Sequence, residues 1–226
     1  MLIEFCGTSA MGKTTMARLL SRKDSRYRPF RRSVAGSGYK HRLSQLRLFS
    51  KGIFFAFDVL IKKRNFYRFL KLSMYTGAKQ DTCRWILDQG YLQPTALLKS
   101  SEEYKIDTYI SKVQDIDVYP DVVVFFLATP DLAEKRQSMR GDIETIKDSS
   151  ENLGFSSLNE QYKKERQLWL DLIPFLEKKS ISVICLYFDN EGKINKTIAS
   201  VGGENNNQEV VGELVSFFES YWDSSL

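Results

Sequence analysis

Leu2-Ile3-Glu4-Phe5-Cys6-Gly7-Thr8-Ser9-Ala10-Met11-Gly12-Lys13-Thr14-Thr15 is the stretch on which the reading of this chain turns. Leu2 to Cys6 is an apolar run of strand length, and a helix is expected from Lys13 to about Ser21. Between them, Gly7 to Thr14 match the pattern G-x-x-x-x-G-K-[ST], in the strand-then-helix setting that gives the pattern its meaning. A chance match in a chain this long is roughly 1 in 200 from ordinary residue frequencies. The glycines let backbone N–H groups turn inward around a β-phosphate, and the helix N-terminus adds its partial positive charge. Lys13 is expected to neutralise β- and γ-oxygens. Thr14 is expected to ligate Mg²⁺, and Thr15 to reach the α-phosphate. Gly7, Thr8, Ser9, Ala10, Met11, Gly12, Lys13, Thr14 and Thr15 are thus the predicted site for a nucleoside triphosphate.

Outward from that stretch, three more apolar runs alternate with helical patterns: Cys83 to Leu87, Asp121 to Ala128 and Ile181 to Phe188. Runs apolar on both faces belong to a parallel sheet covered by helices, so the chain reads as α/β, built of βαβ units. Thr129-Pro130-Asp131 opens a helix that Gly141 ends. The polar stretch Asp142 to Ser156 reads as a mobile loop. Ser157 and Glu160 form a capping-box pattern for a long helix to about Lys178, bent at Pro174, with Leu158, Tyr162, Trp169 and Leu172 as packing positions. Gly202 to Gln208 reads as a surface loop before a last amphipathic helix ending near Trp222.

With 226 residues, 42% of them hydrophobic, the chain can bury the core of one domain, and disorder is excluded as the general reading. Cys6, Cys83 and Cys185 are far apart and each lies in a predicted strand. They are expected to be core thiols in a reducing cytosol, with neither a disulfide framework nor zinc-ligand spacing. No apolar run approaches the ~20 residues that span a bilayer, so a soluble, cytoplasmic protein is expected.

The net charge of +5 hides an asymmetry: residues 1 to 80 carry 18 Lys and Arg against 3 Asp and Glu. Most of it lies in residues 22–79, which hold 16 Lys and Arg and two acids, interleaved with Phe and Tyr. This stretch reads as a basic helical insertion around a site, with Arg42 and Arg47 as candidates for holding acceptor anions. His41, set among Lys40 and Arg42, reads as a solvated loop residue rather than a base.

Two further elements carry chemistry. Trp85-Ile86-Leu87-Asp88-Gln89-Gly90 is an apolar strand ending in an acid. At the carboxyl end of a parallel strand, Asp88 is expected to face the phosphate crevice, to orient Mg²⁺ or to take a proton from an attacking hydroxyl. Arg136 and Arg140, spaced i and i+4, lie on one helix face and are expected to stabilise charge on a transferring phosphoryl group.

With these elements in order, the chain resembles the P-loop nucleoside and nucleotide kinases, and is most similar to thymidylate kinase-like proteins. FCGTSAMGKTTMARLL, CRWILDQG and PDVVVFFLATPDLAEKRQSMRG carry the resemblance. It implies a single P-loop NTPase domain over 1–226, a three-layer α/β/α fold with a five-stranded parallel sheet of order 2-3-1-4-5. It further implies a substrate region at 22–79, a lid at 141–157, and ATP with Mg²⁺. Lys13, Thr14, Asp88, Arg136 and Arg140 would surround the phosphates, with Asp189 and Asn190 beside the adenine. Thymidylate kinases usually carry Arg after the strand-end acid, where this chain has Gln89. Gln89 is therefore expected at the acceptor, and the unusually basic insertion points to a larger or more anionic acceptor.

The leading expectation is a kinase moving the ATP γ-phosphoryl to a small acceptor, a nucleoside or nucleotide. A polynucleotide or tRNA end is the alternative acceptor, tracked by the basic aromatic insertion. A third reading is a P-loop ATPase switch docking through 22–79 on an anionic membrane or protein partner. The apolar run at 53–61 is equally consistent with a homodimer surface or with core.

Overall fold

The central strands follow from runs in which neither face is polar. β1 (Leu2–Gly7) and β4 (Val122–Leu127) are buried along their whole length, and β5 (Ser182–Phe188) is buried except at Tyr187. In this computed structural model, which describes residues 1–30, 50, 52, 73, 75–88, 90, 92–116, 118–141, 143–202 and 205–223, they belong to a six-stranded sheet. Its order is β2-β3-β1-β4-β5-β6, with β2 (Tyr27–Phe30), β3 (Arg84–Leu87) and β6 (Ile194–Ser200) completing it. The parallel part has the expected order 2-3-1-4-5. β2 pairs with β3 from Tyr27↔Arg84 to Phe30↔Leu87, and β4 with β5 from Val122↔Ser182 to Leu127↔Tyr187.

Two strands escape the reading of apolar runs. β2 lies in the basic stretch and contains Pro29, which an edge strand tolerates because one of its sides needs no ladder donor. β6 pairs antiparallel with β5 and makes the sheet six-stranded rather than five-stranded. Its exposure alternates irregularly around Asn, Lys and Thr, so no hydrophobic period marks it. A turn at residues 189–193 makes the hairpin: the Asp189 carboxylate accepts from the backbone N–H of Glu191 and Lys193, each at 2.9 Å. Those N–H groups hold its carboxyl below the usual range.

The described residues form two compact units. One comprises Met1–Ile3, Thr14–Asp88 and Asp117–Pro120. It holds β2, β3 and most of α1 (Lys13–Lys23), and residues 75–80 are helical. Buried Trp85 donates its indole N–H to Asp81 at 3.1 Å, and Arg84 lies over the Tyr27 ring.

The other unit comprises Glu4–Lys13, Gln89–Ile116 and Asp121–Leu226. It contains α2 (Pro94–Leu97), α3 (Ile106–Gln114), α4 (Pro130–Met139), α5 (Ile143–Asn152), α6 (Leu158–Lys178) and α7 (Asn205–Asp223). Phe5, Phe126 and Phe218 form an aromatic core with ring centroids 5.4 to 5.9 Å apart. Local rules set the helix starts. Thr129 caps α4 by accepting from the Leu132 N–H, with Pro130 at the first position. Ser157 caps α6 by accepting from the Glu160 N–H. The Glu160 carboxylate reaches back to Ser156 rather than Ser157, and these bonds with Lys164 pull it down to about 2. Leu158, Tyr162, Trp169 and Leu172 are buried as expected, and α6 runs on through Pro174.

Three expectations are corrected. Residues 143–152, read as loop, are helical: Ile146 packs on Ala133, Leu158 and Tyr162, a tertiary contact that outweighs a polar composition. α7 begins at Asn205, inside the stretch read as loop, and Asn207 donates back to the Gly202 carbonyl at 3.0 Å. Cys83 lies just outside β3 and is only half-buried, whereas Cys6 and Cys185 are buried strand thiols; all three are free. Among the described residues no helix is long and apolar enough to cross a membrane.

Candidate functional site

The glycine pattern becomes a loop held on the end of β4. Gly7 has φ +114°, and a Cβ there would overlap the Phe126 backbone, so only glycine allows this approach. The Thr8 N–H donates to the Phe126 carbonyl at 2.9 Å, and the Ala128 N–H donates to the Thr8 hydroxyl. Gly12 has φ +76°, and Ala10, at φ +62°, is a left-handed residue with a side chain.

Lys13 is buried, and its ammonium donates to the carbonyls of Gly7 at 2.7 Å and Thr8 at 2.6 Å. The positive charge is therefore curled inside the loop. Gln93 Nε2 donates to the same Gly7 carbonyl at 3.1 Å. The loop's middle residues meet α4: Ser9 donates to Gln137 Oε1 at 3.3 Å, and Arg136 Nη1 lies 3.8 Å from Met11 Sδ. Arg136 Nη2 donates to the Gly192 carbonyl in the β5–β6 turn at 3.3 Å. Partial burial and the neighbouring Arg140 charge lower its proton affinity. Arg140 follows the end of α4 and is exposed. Asn190 is exposed in the hairpin turn and accepts from the Thr129 hydroxyl at 3.2 Å.

In the other unit, the exposed Thr14 hydroxyl donates to Asp88 Oδ2 at 2.7 Å. The first turn of α1 and the end of β3 thus bring together the two residues expected to hold a cation. Thr15 is exposed beside them in sequence. Gln89, Arg42, Arg47, His41 and the run 53–61 lie outside the described residues.

Sequence reasoning missed a buried polar set behind the loop. Glu4, in β1, is buried and accepts from the Leu92 N–H at 2.7 Å and the Cys6 thiol at 3.1 Å. A Cβ on Gly90 would overlap its carboxylate. Tyr109 donates its hydroxyl to the Leu92 carbonyl. Glu165, on α6, accepts from Gln161 at 2.7 Å; burial pushes its carboxyl up to about 7, while that hydrogen bond and the Lys13 charge pull the other way. An acid inside the apolar run LIEFC was the available signal, since a buried carboxylate demands partners.

No family model and no curated protein matches the chain. Among solved structures, it is similar to deoxyadenosine kinase from M. mycoides. With dATP bound, that structure gives a TM-score of 0.48 at 16% identity, covering 96% of this chain and 99% of that one. With dCTP bound the values are 0.46, 15%, 96% and 99%. With the products dCMP and a flexible dCDP they are 0.48, 16%, 96% and 100%.

Proposed function

We propose that this protein is a Mg²⁺-dependent kinase that transfers the γ-phosphoryl of ATP to a small acceptor, a nucleoside or nucleotide. The observation that carries the reading is the Thr14–Asp88 hydrogen bond, because it joins the residue after the loop lysine to a strand-end carboxylate 74 positions away. A hydroxyl and a carboxylate are the hard oxygen donors Mg²⁺ prefers, and such sites take one or two carboxylates and complete the set with phosphate oxygens. When bound, Mg²⁺ would neutralise charge on the β- and γ-phosphates.

The chain's own groups do the remaining work. Lys13, held at the Gly7 and Thr8 carbonyls, brings its positive charge to the β- and γ-phosphate oxygens. Asp88 orients the metal or takes the acceptor proton. Arg136, held beside Met11, offers charge for the transferring phosphoryl, and Arg140 joins it. Asp189 and Asn190 are assigned to the adenine side, and Gln89, Arg42 and Arg47 to the acceptor. The test is ADP release from Mg-ATP, alone and with nucleosides, nucleotides, sugars and 5′-hydroxyl oligonucleotides. Stimulation by a nucleoside or nucleotide supports the reading. A slow rate that no acceptor raises overturns it.

A further inference from the structure

Glu165 is buried on α6 and accepts from Gln161 Nε2 at 2.7 Å. Gln161 is buried as well, and among the described residues its Oε1 has no hydrogen-bond partner. An ionised carboxylate only accepts, so it can offer that oxygen nothing. A carboxylic acid also donates. Its O–H would supply the donor that Gln161 Oε1 lacks, and the amide and the acid would then pair through two hydrogen bonds. The surroundings of Glu165 are therefore complete only when it carries a proton.

Lys13 opposes that proton. Among the described residues it is the one charge acting on Glu165, and it pulls the carboxyl back toward ionisation, against the burial that pushes it up to about 7. Tyr104 and Tyr109, from α3 and the segment before it, also interact with Glu165, and burial holds both phenols neutral. α4 and α5 meet α6 through the uncharged Ala133 and Ile146. The Cys185 thiol of β5 is pushed up to about 12. A polyphosphate beside Lys13 reverses the balance, because its negative charge cancels the Lys13 field and disfavours a nearby carboxylate. The coupling is reciprocal: if nucleotide favours the proton, the proton favours nucleotide. We propose that Glu165 is a positioning residue of the phosphate loop, which acts through Lys13 and takes up a proton from solvent when nucleotide binds. The inference rests on the nucleotide-binding part of the function proposed above.

The experiment is calorimetric binding of ATP and ADP at saturating Mg²⁺, in buffers of different ionisation enthalpy between pH 6 and 8.5, for wild type and Glu165→Gln. The dependence of heat on buffer counts protons, and the difference between the two proteins removes the nucleotide's own titration. The variant's amide imitates the acid, since it can pair with Gln161 through both of its groups. For a bound-state rise of about one pH unit, wild type should take up about half a proton more than the variant at pH 7.5. Its affinity relative to the variant should weaken about five- to tenfold from pH 6 to 8.5. The ¹³C shift of the Glu165 carboxyl, read in wild type alone, should titrate near 7 in the free protein and higher with nucleotide bound. Equal proton uptake by the two proteins would overturn the inference, even if the substitution moved the melting temperature. A carboxyl that titrates at the same pH with and without nucleotide would overturn it too. A wild type that binds no nucleotide would instead overturn the reading beneath it.

Discussion

The hydroxyl of Thr14 donates to the carboxylate of Asp88 at 2.7 Å, linking the first turn of α1 to the carboxyl end of β3. Under the proposed function this pair would supply two oxygen ligands to Mg²⁺. Asp88→Asn keeps the shape and removes the charge. It should lower phosphotransfer by about 10²-fold or more, while ATP binding without Mg²⁺ changes little. Steady-state rates across a Mg²⁺ titration check this, and full activity in the variant would remove Asp88 from the mechanism.

Gly7→Ala places a methyl group into the Phe126 backbone at a φ of +114°. The strain should cost at least about 2 kcal/mol and open the loop, so that ATP binding is lost with it. Denaturant unfolding with a parallel nucleotide titration reads both effects.

Ala10 holds a left-handed φ of +62° that costs a side-chain-bearing residue energy. Replacing it with glycine removes that strain, partly offset by the greater freedom of the unfolded chain. Ala10→Gly should therefore stabilise the protein by a few tenths to about 1 kcal/mol. A melting temperature below wild type would contradict the expectation.

Glu165 makes stability depend on pH. Its carboxyl is raised to about 7 from an ordinary 4.5, so the folded protein binds this proton more readily than the unfolded chain. Its contribution is greatest below about 4.5, falls as pH rises through that window and levels off above about 7. The full change is roughly 3 kcal/mol as an upper bound. Glu165→Gln should flatten this slope and be the more stable protein at pH 8, as denaturant midpoints at pH 5, 6, 7 and 8 will reveal.

The glycine loop between β1 and α1, the four apolar strands and the helix starts at Thr129 and Ser157 were legible because each rests on local chemistry, whereas the parallel order came from the resemblance to a family and not from any local pattern. Apolar runs mark buried strands, caps mark helix starts, and Gly7, Gly12, Lys13 and Thr14 are set by backbone geometry and charge within eight residues. β6, α5 and β2 were not legible, since a strand or helix of mixed composition exists through the neighbour it packs on: β5 for β6, Ala133 and Leu158 for α5.

The same division runs through the candidate site. The sequence by itself determined that Lys13 would stand at the end of a glycine loop and that Asp88 would close a strand. Only the tertiary structure decided that Lys13 donates to the Gly7 and Thr8 carbonyls, that Gln93 shares Gly7, and that Glu4 and Glu165 are buried behind them. The physical reason is that such partners lie far apart in the chain, and a hydrogen bond or a desolvated carboxylate is a property of what surrounds an atom.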